Sequence, residues 1–563
     1  MPDVRVTIDG AEGSVPAGIT VLEACRKLGI EVPTLCDHPA IAPIGACRIC
    51  LVEIEKQRAL QPACTFPVSD GMVVHTRSDR VADARRFVLQ LLFSERNHFC
   101  MFCQMSGSCD LQDLAYDYGL DHWEFDRAFP RLGVDASREF FVMDHNRCIL
   151  CRRCVRVCDE LVGNATLGVK HRGAETMIIA DMDVPFGDSS CISCGTCLQV
   201  CPTGALGDRA SAYMGATDEI SRVKSTCTGC SVGCGVELVV RQGRVIRVEG
   251  DWDAPPSDGL LCEVGRFGLQ HDKRRRARNP RMRQGDGWVE ASWDDALAAA
   301  AKGLAAAGGD ICTLVSSTAT NEMGVAIAAK LPGIKQQLGA VLLDDSAGLA
   351  AMDEADLFVV VGADLTVDHQ VASFSVKRGV RHRGARLMLV CDGDNGLAPW
   401  AFKQVGLDEA ASVLDVIKGA QAPVIVYDAK AASAARAIAE AVPAAKCVAF
   451  TDGANTKGLA AAGVAEAFAG GGAKAYLVVA GEAKSASERV MAVLEKAEFV
   501  AVQASYAEPW AKVADVILPM PTMWEKSGTI TSADGVQREV RGAVAFEGLS
   551  DVTTIERLGA LLS

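Results

Sequence analysis

The sequence predicts a multidomain chain, α+β in its first half and α/β in its second, and three observations carry that expectation. The chain has 563 residues, and single hydrophobic cores stop growing near roughly 250–300 residues. Twenty of the 23 cysteines fall before residue 263, nineteen of them in tight groups, so the first half is organised around side-chain ligands as much as around apolar cores. From position 290 onward the composition turns alanine-rich, and short apolar strands alternate with helical stretches, the pattern of sheets covered by helices.

Composition removes several classes. Apolar residues make up 49% of the chain and only 20 residues are proline, a globular balance and not a disordered one. No apolar run reaches the 18 residues or so that a membrane span needs; the best, Leu357 to Val361, has the length of a buried strand. The start, Met1-Pro2-Asp3-Val4-Arg5-Val6, lacks the charged-then-apolar pattern of a secretory signal. A net charge of −14 argues against nucleic acid as a partner. The basic run Lys273-Arg274-Arg275-Arg276-Ala277-Arg278 stands against this trend and is expected to be a solvated or subunit-facing linker, with an anion or nucleotide contact as the alternative. Disulfide frameworks belong to short secreted chains. A cytoplasmic, reducing location is therefore expected, with any membrane contact made through partners.

Residues 1–78 open with alternating Val4, Val6 and Ile8, then Gly10 and Val15, which predicts a hairpin, followed by a helix near 21–28. The candidate ligands come next in Cys36-x10-Cys47-Arg48-Ile49-Cys50-x13-Cys64. Four thiolates on one closely wrapped loop suit a two-iron cluster, and small residues such as Gly45 and Ala46 let backbone amides face the sulfurs. Cys25 lies outside the pattern and is expected to be a buried structural thiol; chance spacing or a zinc site is the competing reading of the other four. The group resembles the plant-type ferredoxin of β-grasp fold, in its longer-spaced form.

Residues 79–120 contain His98-Phe99-Cys100-x2-Cys103-x5-Cys109. Beside three cysteines His98 is expected to be the fourth ligand of a [4Fe–4S] cluster in a small helical domain, and a neutral imidazole in place of a thiolate raises the potential. The commonest form of this motif has three residues between His and Cys; the shorter spacing here resembles hydrogenase diaphorase subunits. Residues 138–212 hold two runs, Cys148-x2-Cys151-x2-Cys154-x3-Cys158 and Cys191-x2-Cys194-x2-Cys197-x3-Cys201-Pro202. This is the spacing of bacterial two-cluster ferredoxins, in which the fourth Cys of each run serves the other cluster. The expected sets are Cys148, Cys151, Cys154 and Cys201, and Cys191, Cys194, Cys197 and Cys158. Residues 220–280 give the last set, Cys227-x2-Cys230-x3-Cys234-x27-Cys262, with apolar alternation on both sides of Gly243 predicting a small β unit that returns Cys262 to the others. Zinc is the alternative for these four thiolates; the company of four other clusters favours a fifth.

In residues 290–563, strands are expected at 311–315, 357–361, 387–390, 424–427, 475–479 and 499–503, with a helix at 294–307, arranged as doubly wound parallel sheets in two lobes. Val361-Gly362-Ala363-Asp364 ends a strand where such folds bind ligands, yet no dinucleotide fingerprint occurs and no flavin or nicotinamide motif is found.

Leu260-Leu261-Cys262-x2-Gly265-Arg266-Phe267-Gly268, Ser292-Trp293-Asp294-Asp295-Ala296-Leu297, Ala514-Asp515-Val516-Ile517-Leu518-Pro519 and Glu525-Lys526-Ser527-Gly528-Thr529 resemble the molybdopterin oxidoreductase family. The first 210 residues resemble the large peripheral iron–sulfur subunit of complex I, the alpha subunit of cytosolic NAD-linked formate dehydrogenase and the hydrogenase diaphorase subunit. The resemblance implies an electron-transfer subunit with one [2Fe–2S] and four [4Fe–4S] clusters, no catalytic site of its own, and at least two redox partners, one of them a flavoprotein that oxidises NAD(P)H. Three departures refine it. Molybdenum members carry a Lys where Val264 stands. No Cys stands near Leu343-Asp344-Asp345-Ser346, where their metal ligand falls, and with the sequence ending at Ser563 a closing C-terminal domain is not expected. The second half is accordingly expected to be a scaffold without pterin; a catalytic molybdenum or tungsten formate dehydrogenase and a docking scaffold with vestigial clusters are the alternatives. Most complex I relatives keep one ferredoxin-type cluster, whereas this chain has ligands for both, which favours soluble NAD-linked enzymes.

Overall fold

The computed structural model describes residues 2–214, 219–484 and 486–563. Residues 215–218, in the expected gap between the third and fourth domains, and Met1 lie outside the described residues. The chain divides into two compact units, Met1–Ile220 and Ser221–Ser563. Among the described residues no helix is long and apolar enough to cross a membrane.

In the first unit, β1 (Asp3–Ile8) and β2 (Ala11–Pro16) form an antiparallel hairpin paired from Asp3↔Pro16 to Ile8↔Ala11. Its two turn residues, Asp9 and Gly10, both have positive φ (49° and 85°), the geometry that matches strand twist in two-residue hairpins. Helix α1 (Val21–Lys27) starts at Thr20, whose side chain accepts from the Glu23 amide while Glu23 accepts from the Thr20 amide; such a reciprocal cap is worth about 1 kcal/mol. With β3 (Leu51–Ile54), β4 (Gln61–Pro62) and β5 (Met72–His75) the sheet order is β2-β1-β5-β3-β4. Val6, Ile8, Val21, Leu22, Val52 and Val74 fill the core beneath it.

A second core ties the cysteine loops together. Leu89 and Phe93 of α2 (Asp79–Glu95) and Leu111 and Ala115 of α3 (Asp110–Asp117) pack with Leu35, Cys36, Ile49, Ile149 and Cys151. Three cysteine groups thus share one apolar cluster, so their relative placement is set by side-chain packing, which tolerates little change in volume. Helix α4 (Arg153–Arg156) runs directly into a π turn at Val157–Leu161, a distortion that often marks functional positions.

In the second unit, Ser221–Thr226, Gly235–Arg241 and Arg244–Gly250 make a three-stranded antiparallel sheet. An eight-stranded sheet follows the order 287–290, 281–284, 516–519, 499–504, 475–481, 311–315, 334–337, 466–467. It is parallel except where Arg281–Gln284 pairs antiparallel with both neighbours. The expected domain start at 290 therefore lies inside this sheet, whose edge hairpin, 281–290, is too polar to read as buried strand. A five-stranded parallel sheet has the order 403–405, 386–390, 357–361, 423–428, 446–450. Its central strands carry no solvent-facing side, which is why they read as continuous apolar runs.

The basic run is not a linker. In residues 273–278, Lys273, Arg275 and Arg278 are exposed, whereas Arg274 and Arg276 are half-buried and Arg276 bridges to Tyr506. Arg274 pairs with Asp272 at 2.8 Å, donates to the carbonyls of Glu482 and Ala483, and lies over the Tyr506 ring at 4.1 Å. Arg276 donates to the Ser505 carbonyl and to Glu525, both at 2.6 Å. An alternation over 273–276, hidden in a string of like charges, separates the two clamps from Lys273 and Arg275.

Candidate metal centres

Cys36, Cys47 and Cys50 lie on the loop between α1 and β3, and Cys64 lies beyond β4, tied back by the bond from the Ala63 amide to the Cys50 carbonyl at 3.0 Å. Arg48 and Gly45 adopt positive φ (61° and 64°), curling the loop so that the Cys47 amide points at Cys36 Sγ, 3.4 Å away. The thiols interact with one another: Cys36 bonds to Cys47 and Cys64, and Cys50 bonds to Cys64. The bonds from Cys47 and Cys64 pull Cys36 down to about 2, and Cys64 likewise lowers Cys50. Cys47 and Cys64 are pushed up, chiefly by the same hydrogen bonds. The four thiols thus stand within hydrogen-bonding reach of one another. Cys25 is fully buried outside this group, its thiol pushed up to about 11 by burial.

His98 lies beyond the end of α2, its ring edge-on to Phe93 at 5.5 Å between centroids. Its Nε2 is buried and has no hydrogen-bond partner. Burial, with Arg147 and Arg96 nearby, lowers its pKa to about 4, so the ring stays neutral and keeps a free lone pair, the form that binds metal. Cys103 interacts electrostatically with both Cys100 and Cys109. A Cβ on Gly204 would stand 2.5 Å from Cys103 Sγ, so the chain passes this sulfur with no room for a side chain. A buried imidazole with Nε2 unpartnered, on the segment that leads into Cys100, is compatible with the expected His/Cys3 set. Sequence reasoning missed the rim: Phe99, Met101 and Phe102 are exposed around these donors.

The two ferredoxin-type runs interleave. Cys148 and Cys151 are influenced by Cys201, and Cys154 by Cys151, Cys148 and Cys201. Cys158 is influenced by Cys194, and Cys191 by Cys194 and Cys158. Cys197 feels Cys194, Cys191 and Cys158 most strongly. In every case burial is the larger cause, and it raises the thiol. Amides of Leu150 and Ser193 point at Cys148 and Cys191 Sγ, each at 3.4 Å.

Cys227, Cys230, Cys234 and Cys262 line one cavity of about 340 Å³ together with Gly229 and Gly265. The Gly229 and Gly265 amides point at Cys227 and Cys262 Sγ, at 3.4 and 3.3 Å. Burial raises all four thiols, Cys227 to about 12. Val264 faces the same cavity, and Thr366, Asp368 and Gln370 close its far wall. Among the described residues no three His, Cys, Asp or Glu side chains converge as they do on a single metal ion. In a [4Fe–4S] cluster each ligand meets a different iron, and in a [2Fe–2S] cluster two meet each iron, so four donors need not converge on one ion.

The other candidate positions are internally engaged. Asp364 accepts from Thr366 N and Oγ1 and from Gly396 N at 2.6–3.0 Å, so the strand end at 361–364 spends its carboxylate on its own loop. Asp344 accepts from Tyr427 Oη at 2.7 Å and from Arg436 Nε and Nη2 at 2.9 and 2.6 Å; the Arg436 hydrogen bond holds its carboxyl below the ordinary value.

Four family models match this chain. A 2Fe-2S iron-sulfur cluster binding domain covers residues 2–79, and an NADH-ubiquinone oxidoreductase-G iron-sulfur binding region covers 85–123. The ferredoxin-like domain of NADH-quinone oxidoreductase subunit 3 covers 139–207, and a molybdopterin oxidoreductase Fe4S4 domain covers 220–273. The chain carries the iron–sulfur domains of NADH dehydrogenase G-like subunits. It is 32% identical to the G 2 subunit of NADH-quinone oxidoreductase of Rhizobium meliloti over 69% of this chain and 48% of that protein. It is 28% identical to NADH-quinone oxidoreductase subunit 3 of Thermus thermophilus over 94% of this chain and 79% of that protein. With the alpha subunit of the NADPH-Fe(3+) oxidoreductase of Geobacter sulfurreducens it shares 31% identity over 71% of this chain and 49% of the other. The chain thus spans about half the length of two of these three relatives. A solved NAD+-reducing [NiFe]-hydrogenase chain matches at 35% identity over 38% of this chain and 90% of its own, with a TM-score of 0.36.

Proposed function

We propose that this chain is the iron–sulfur electron-transfer subunit of an NAD(P)H-linked multisubunit oxidoreductase. It relays electrons between a flavin-containing subunit that oxidises NAD(P)H and a further redox partner. The clusters, when bound, supply one-electron transfer. The chain's part is to hold them, exclude water and set their potentials through ligand type, burial and amide-to-sulfur bonds. Cys36, Cys47, Cys50 and Cys64 hold a [2Fe–2S] cluster. His98, Cys100, Cys103 and Cys109 hold a [4Fe–4S] cluster, and the two crossed sets and Cys227, Cys230, Cys234 and Cys262 hold three more. The observation that carries this reading is the gathering of twenty donors into five groups inside iron–sulfur domains, with His98 Nε2 left free in the one group that has three cysteines.

In the same reading the second half holds no pterin. Val264 stands where a lysine is expected between cluster and pterin, and Asp344 is occupied by Tyr427 and Arg436. The test is anaerobic purification of the chain with and without its native partners. Roughly 18 iron atoms per chain, no molybdenum or tungsten, and reduction by NAD(P)H only with a flavoprotein present are the expected results. Near-stoichiometric molybdenum with formate-dependent dye reduction would replace the relay by a catalytic enzyme. Reduction of the isolated chain by NAD(P)H would make it the dehydrogenase itself.

A further inference from the structure

Two arginines inside a ligand run are buried, Arg153 at 6% and Arg156 at 8% exposure. They bracket Cys154 on α4, and the π turn that follows carries Cys158. Arg156 donates through Nη1 to the Ala42 carbonyl and through Nη2 to the carbonyl of Cys36. Glu160, from the same stretch, accepts from the Ala42 amide at 2.9 Å. Arg153 donates through Nη1 to Asp110 Oδ2 at 3.3 Å and to the Val200 carbonyl at 3.4 Å, and through Nη2 to the Thr34 carbonyl at 3.4 Å. These partners lie in or beside three other ligand segments: Thr34 precedes Cys36 by two residues, Asp110 follows Cys109, and Val200 precedes Cys201. The Nε of each arginine is buried with no partner.

A buried guanidinium facing mainly carbonyl oxygens is costly unless negative charge stands nearby. Thiolate-ligated clusters supply such charge, more of it when reduced. We propose that Arg153 and Arg156 form a cationic junction that seats the Cys36 loop on α4 and favours the reduced states of the clusters held by Cys36, Cys47, Cys50 and Cys64 and by Cys148, Cys151, Cys154 and Cys201. The inference rests on the relay reading above and deepens it by naming positioning residues that touch no cluster ligand side chain.

The full chain and the variants Arg153→Gln, Arg153→Lys, Arg156→Gln and Arg156→Lys are purified anaerobically, assayed for iron, and titrated by EPR against potential. Each glutamine variant is expected to lower the reduced-to-oxidised ratio of the [2Fe–2S] signal at least tenfold at fixed potential, about 59 mV for one electron. The lysine variants, which keep the charge but lose the fork, should recover most of that shift. Full iron with an unshifted midpoint in the glutamine variants overturns the junction, and so do equal shifts in lysine and glutamine variants. Should the glutamine variants lose iron, the lysine variants decide: full iron and a near-native midpoint support the charge, and loss of iron from both overturns it. Wild-type protein with far fewer than roughly 18 irons refutes the relay reading instead, whatever the variants show.

Discussion

Gly204→Ala tests the His98 centre without replacing a donor. The added methyl would stand 2.5 Å from Cys103 Sγ and 3.4 Å from Met105 Cβ. The first distance is roughly 1 Å short of ordinary van der Waals contact, while the second is acceptable, so the strain falls on the sulfur. Gly204 does not have a positive φ, so alanine brings no backbone penalty and the effect is steric. Overpacking of this kind costs about 1–3 kcal/mol, which at 1.4 kcal/mol per decade corresponds to roughly a 5- to 150-fold weaker hold on the metal. Gly207→Ala is the control, because its methyl would meet nothing nearer than Gln104 Oε1 at 3.3 Å, the end of a flexible side chain. Iron analysis and low-temperature EPR of the two variants check the reasoning. The expected result is loss of about four irons and of one signal from Gly204→Ala, with Gly207→Ala close to wild type. Full iron and an unchanged spectrum in Gly204→Ala would mean that Cys103 holds no cluster at this place.

The crossing of the ferredoxin-type sets predicts non-additive losses: Cys148→Ala with Cys201→Ala should cost about four irons, and Cys148→Ala with Cys158→Ala about eight; equal losses in the two double variants would undo the crossing. His98→Cys should keep its iron and lower the midpoint of that cluster, since a thiolate adds negative charge; an EPR titration that finds no shift removes His98 from the ligand set. Arg276→Ala leaves Glu525 without its cation and should cost about 1.5–3 kcal/mol, whereas Arg275→Ala, exposed at the next position, should stay within about 0.5 kcal/mol. Hydrogen exchange across residues 505–525 reads the difference, and equal protection in both variants would return the run to a solvated linker.

Much of the candidate site was legible because cluster ligation depends on local spacing. Cysteines at two- and three-residue intervals reach a common centre from one turn of chain, so Cys148, Cys151 and Cys154, or Cys227, Cys230 and Cys234, could be grouped from the sequence alone. Strands at 311–315 and 357–361 were equally plain, since a strand buried on both faces has no alternation to obscure it. What escaped depended on contacts between distant segments. Arg153 and Arg156 look like ordinary surface cations until α4 is seen to lie against the Thr34–Ala42 loop, more than a hundred residues earlier. The inward pair of the 273–278 run was hidden because the run is of one charge, and Asp272, Glu525, Tyr506 and the carbonyls of Glu482, Ala483 and Ser505 distinguish Arg274 and Arg276 from Arg275.

Asp344 shows how an expected vacancy is filled by structure. The sequence registers only that no cysteine stands at 343–346; the fold adds that Asp344 is bound by Tyr427 and by both arms of Arg436, and that its carbonyl accepts from Lys457 at 2.7 Å. A carboxylate with three charge-assisted or hydroxyl donors has little capacity left for a metal, and releasing it would strand a partly buried group on a loop end. The loop is therefore stabilised by interactions that compete with metal binding, a physical argument for the proposed pterin-free reading beyond the missing lysine at Val264. The first unit differs in kind: the Cys36 group keeps its thiols in contact and His98 keeps Nε2 free, so its donors await an acceptor. Cysteines grouped with one another in the first unit, and an Asp344 already held by Tyr427 and Arg436 in the second, fit a relay supported by a scaffold better than they fit two active halves.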